Sequence, residues 1–214
     1  MTTTTHQLDD ALTDVRRAFR LLHDYQRLAM DAAAYIGRQL GLPYAGGWHK
    51  YTPANRQTPR DGGGHLGLSA WDWLSMMLYE FHFQQPLPDG GKLLFSILLI
   101  SDTGFFMGDQ GSDGIGAVAK YAPAEKSRTC IAFLASTNVK AWQGPGFVWD
   151  REQMRVFIET GGNLPEDYVA NGIFGKCCDF KRIATEDDTN RLIDELVAEM
   201  GRKGIPLKRL ERKV

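Results

Sequence analysis

Cysteine is scarce in this chain of 214 residues: three thiols, Cys130, Cys177 and Cys178, two of them adjacent. An odd, small count with neighbours that rarely bridge each other excludes a disulfide scaffold. Reduced thiols in a cytoplasm are the simplest expectation. A dominant charge sign is missing as well. The 25 basic residues stand against 26 acidic ones, for a net charge of −1, which argues against a surface given over as a whole to nucleic acid or anionic lipid. Long apolar runs are also absent. The most apolar stretch, Leu93 to Ile100, falls far short of the roughly 20 residues a helix needs to cross a bilayer, so no membrane partner is expected. Met1 to Thr5 offer no basic start leading into an apolar stretch, and no secretory leader is expected.

Signatures of ligand chemistry are equally thin. The sequence has no Cys-x-x-Cys and no His-x-x-x-His pair, so neither a metal site nor any other cofactor is expected. The glycine-rich stretch holding Asp109 and Asp113 has Lys120 where a calcium loop needs its twelfth-position acid, and it lacks the phosphate-cradling G-x-x-x-x-G-K order. No serine sits in a Gly-x-Ser-x-Gly elbow. Cys177 and Cys178 have no base nearby in sequence and read as structural thiols.

The strongest positive signal lies in residues 7–40. Leu8, Leu12, Val15, Phe19, Leu22, Ala29, Ala33, Ile36 and Leu40 recur at alternating steps of four and three, with Gln26 in the one polar slot. Charged residues fill much of the remainder, and Gly41 and Pro43 end the pattern. This spacing predicts one long amphipathic helix, about 50 Å at the usual rise. A domain of this size needs less: the plainer reading is a helix lying across its own sheet, and the alternative is that part of residues 7–40 packs on a protein partner or a second copy.

Strand patterns follow. Trp71, Trp73, Met77, Tyr79, Phe81 and Phe83 share one parity across residues 71–83, and residues 92–101 read as a near-continuous apolar strand after a turn at Pro86 to Gly91. Residues 128–136 read as a central strand and 173–183 as a further one. Asp150 and Gln153 stand in capping-box order at the start of a short helix, and Thr185 with Asp188 starts the last helix. The expected fold is a single α+β domain over residues 1–214, with loose tails at 1–6 and 207–214. Its four- to five-stranded antiparallel or mixed sheet is packed by the long N-terminal helix and a C-terminal one.

Two patterns bear on catalysis. Asp102-Thr103-Gly104 at the end of the apolar strand resembles the active-site triplet of aspartic proteases. The chain holds one copy, however, and Phe105 departs from the small residue that follows in that family; turn chemistry is the plainer reading. A helix followed by acid-bearing strands resembles, in outline, restriction-endonuclease-like nucleases, and makes Glu80, His82 and Asp102 the candidates for a metal-dependent nuclease or hydrolase. With a hairpin about Pro88, Glu80 falls opposite Ser96 or Ile97. Asp102 then lies roughly 16 Å further along the strand, too far for carboxylates that must share a metal.

The irregular stretch 41–68 combines aromatic surface with cations at Trp48, His49, Lys50, Tyr51, Arg56 and Arg60. Such anchors serve protein interfaces and also single-stranded nucleic acid. The basic end of the chain (Lys208, Arg209, Arg212, Lys213) could add to a nucleic-acid surface, a partner the neutral charge balance does not favour. The sequence therefore points first to a non-catalytic binding subunit, adaptor or inhibitor that uses the long helix and the aromatic-basic loop.

Overall fold

The computed structural model describes residues 5–50, 78–108, 118–138 and 151–210. Five strands form one sheet in chain order: β1 (Tyr44–Lys50), β2 (Leu78–Pro86), β3 (Lys92–Ile100), β4 (Cys130–Ser136) and β5 (Ile173–Asp179). Every neighbouring pair is antiparallel. The helices are α1 (Thr5–Gln39), α2 (Gly104–Met107), α3 (Arg151–Glu159), α4 (Glu166–Ala170) and α5 (Glu186–Arg202).

Composition explains the layering. A strand covered on both faces cannot accommodate polar alternation, and β3 and β4, with almost every residue buried, read as unbroken apolar runs. One face of the sheet carries Phe83, Phe95, Ile97 and Phe133 beneath Ala33 and Ile36 of α1 and Leu192 and Leu196 of α5. The other carries Leu94, Leu98, Ile100 and Leu134 beneath Phe105 of α2 and Met154 and Phe157 of α3. The helices are thus laid on a sheet whose neighbouring strands are consecutive in the chain, the α+β arrangement that the element order implies.

Local chemistry fixes the joints. Gly37 lets α1 settle on β2, because a Cβ there would stand 2.3 Å from Cε1 of Phe83. The Thr185 hydroxyl accepts from the Asp188 amide and so caps α5, as the sequence indicates. Asp179 closes β5 and caps the turn of 3₁₀ helix at Phe180–Ile183, so the strand expected over 173–183 stops four residues early.

Two expectations change. The first part of the irregular stretch is the edge strand β1, its glycines and Tyr44 pairing with β2 through a bulge between Tyr44 and Gly46. The chain end expected to be loose from residue 207 is packed as far as Leu210. Leu207 is buried, the Leu210 amide donates to Gln39 O, and Arg209 bonds Asp194 at 2.6 Å and also Asn190. Tyr35 of α1 donates to the same Asn190 side chain. These polar ties clamp the C-terminal end of α1 to α5.

Candidate interaction surface

The long helix divides into a base and an arm. Ala29, Ala33, Ile36 and Leu40 are buried on the sheet. From Leu8 to Leu28, by contrast, every residue is exposed or half-buried, a span of about 30 Å at helical rise. The apolar seam does not stop where the burial stops. Leu8, Leu12, Val15 and Phe19 are 50, 44, 47 and 62% exposed, at the positions that continue the buried seam by threes and fours. Scattered exposed apolar residues are ordinary, but a contiguous helical stripe is the form taken by an interface.

Where arm meets base, a groove of about 1140 Å³ opens between α1 and the β1–β3 part of the sheet. Leu22, Tyr25, Met30, Tyr44, Tyr79 and Phe81 are among its lining residues, so it is mainly apolar. Tyr25 spans its floor, donating to the Ser101 hydroxyl at 3.0 Å and packing on Phe180. Burial raises the pKa of the Tyr25 hydroxyl, which keeps it a neutral donor. The exposed stripe and the groove form one continuous apolar surface along α1.

The residues singled out for catalysis separate into two groups. The hairpin turn centres one residue later than the sequence suggests, so Glu80 pairs with Leu98 and His82 with Ser96. Glu80, His82 and Ser96 consequently share a sheet face. His82 Nδ1 lies 2.6 Å from Ser96 Oγ, and its Nε2 lies 3.1 Å from Glu80 Oε2. Asp102 is four residues beyond Leu98, about 13 Å at strand rise, and its carboxylate accepts from the Gly104 amide at 2.7 Å to shape the turn into α2.

A carboxylate, an imidazole and a hydroxyl in series could in principle relay a proton to a nucleophile. Here Glu80, His82 and Ser96 are 1, 4 and 0% exposed, which leaves the hydroxyl no surface for a substrate to reach. The chain's physical effect is on register. A one-residue slip of β2 against β3 would carry Glu80 and His82 together to the opposite face and break the bond from His82 to Ser96, leaving buried polar groups without their cross-strand partner, and that resists the slip strongly. Sequence reading missed Ser96, although a lone serine in an apolar strand opposite a histidine is a legible signal once the turn is placed.

Among the described residues no three His, Cys, Asp or Glu side chains cluster as a metal site, and no helix is long and apolar enough to cross a membrane. Trp48, His49 and Lys50 are placed by backbone pairing alone, opposite Glu80, Tyr79 and Leu78 at the end of β1. Tyr51, Arg56 and Arg60 lie outside the described residues, as do Asp109 and Asp113. Cys130 is buried on β4 beside Cys177 of β5, and the interaction of the two thiols lowers the Cys130 pKa and, with burial, raises that of Cys177. No curated protein and no solved structure matches this chain. One family model, described as PM0109, spans residues 5–204 and with them both arm and sheet: the chain belongs to the PM0109 family.

Proposed function

We propose that this protein is a non-catalytic binding subunit, adaptor or inhibitor that docks through the arm of α1 and the groove at its base. One observation carries the reading: the seam that anchors α1 to its own sheet continues, uncovered, through Phe19, Val15, Leu12 and Leu8. A helix of this length without tertiary contacts is marginal in water, because most helical stability in proteins comes from a packed apolar face. An uncovered half-helix therefore gains most from a partner that covers its stripe. The aromatic and basic residues from Trp48 to Arg60 would extend the same docking role.

The test is the particle mass of the chain purified from its native host in gentle salt, compared with Leu12→Asp and Phe19→Asp variants. Both positions are solvent-facing, so at high dilution the variants should melt as the wild type does, and in the host extract they should lose their companion. Variants that associate as the wild type does would end the helix-mediated reading.

A further inference from the structure

Resting on the docking reading, we infer that the partner of the α1 arm is the same arm of a second copy, laid antiparallel. The seam has the heptad spacing of a two-stranded coiled coil: Leu12 and Phe19 occupy one core position, and Leu8, Val15 and Leu22 the other. In antiparallel pairs the two kinds of core position face each other. With a twofold axis between residues 13 and 14, Leu12 meets Val15 of the second copy and Leu8 meets Phe19. Each exposed core residue from Leu8 to Phe19 then finds an apolar partner, and the contact closes on itself as a twofold interface.

Charge selects this orientation. Asp9 and Arg16 each follow a core residue, Leu8 and Val15, and so flank the seam on the same side. The antiparallel register sets Asp9 of one arm beside Arg16 of the other, twice by symmetry. Ala11 and Ala18 meet on the opposite flank, small enough for the helices to approach closely. More broadly, the arm carries Asp9, Asp10 and Asp14 toward its start and Arg16, Arg17 and Arg20 after them. Antiparallel pairing lays the acidic block of each arm along the basic block of the other. A parallel pair would set Asp9 and Arg16 against the alanines and form no such ion pairs. Sterics agree as well. Thr5 of one copy falls opposite Leu22 of the other, short of Ala29, where the helix first becomes buried against its sheet.

Charge reversal followed by sedimentation equilibrium tests this pairing. The wild-type chain should form a dimer whose dissociation rises with salt. Asp9→Arg alone and Arg16→Asp alone each turn two attractions into two repulsions, and each should weaken the dimer by about tenfold or more. Mixing the two variants sets an arm that is basic at both flanking positions against one that is acidic at both. Both contacts are then attractive again, so the mixture should form a heterodimer at concentrations where neither variant dimerises. A wild-type chain that stays monomeric at its highest soluble concentration overturns self-pairing. It leaves the docking reading to the host-purification test, where a different protein would have to depend on Leu12 and Phe19. A wild-type dimer whose variants are not rescued by mixing overturns the antiparallel register.

Discussion

Ile36 and Phe19 belong to the same helix and the same seam, yet the structure assigns them opposite roles. Ile36 is 0% exposed, packed in the core formed by α1, the sheet and α5. Truncation to alanine loses its transfer free energy and leaves a cavity that a clamped helix cannot easily collapse, a cost of about 2–5 kcal/mol. For a chain of this size each kcal/mol lowers the melting temperature by about 2–4 °C, so Ile36→Ala should melt about 4–20 °C below the wild type. Phe19, mostly in solvent, should behave as a surface site: Phe19→Ala should stay within about 0.5 kcal/mol, with alanine's better helix propensity offsetting any lost contact. Thermal and urea unfolding measured at high dilution, where association contributes least, would compare the two directly. Equal losses at both positions would refute the division of α1 into base and arm.

Two further outcomes probe the scaffold. Gly162 sits at φ +114, and a Cβ there would stand 2.5 Å from Cα of Lys176 and the amide of Cys177, whereas Gly161 at φ +72 has nothing within 4 Å. Gly162→Ala should therefore cost clearly more stability than Gly161→Ala, which meets only the backbone penalty of about 1 kcal/mol; urea midpoints that coincide would count against the close approach of this turn to β5. The Glu195 carboxyl is held below its ordinary value by the hydrogen bond from Arg182, with Lys176 adding to it. A folded-state value below the unfolded one contributes stability above the unfolded value and loses it as pH falls through the folded value. Unfolding free energy should thus fall on acidification below about pH 4.5, and Arg182→Ala should flatten that fall; an unchanged pH profile would remove the pair from the account.

The sheet and both principal helices are legible in the sequence because their periodicities are strong and local. The α5 cap, the α1 seam and the double-faced burial of β3 follow from residue order alone. β1 is not legible. Gly46 and Gly47 have little strand propensity and interrupt the signal of Tyr44, and the strand exists because β2 supplies a ladder for them. The docked end at Leu207 to Leu210 is hidden for a similar reason, since a basic run resembles a solvated tail until Asp194 and Asn190 are brought beside Arg209. For the candidate residues, one position of the hairpin turn made the difference. Centring it on Asp89 pairs His82 with Ser96, whereas a turn centred on Pro88 would have set Ser96 against Glu80 instead. The exposed length of α1 could be read as an excess of helix over domain size, but which half lay uncovered required the fold.

Backbone hydrogen exchange along α1 tests the central claim most directly. In the dilute chain, amides from Leu8 to Leu22 should exchange quickly, as an unpacked helix frays and reforms, while those from Ala33 to Leu40 stay protected by the core. Raising the concentration should slow exchange in the arm and leave the base unchanged. An arm as well protected as the base at every dilution would mean that its stripe is already covered within its own chain, and would contradict the account.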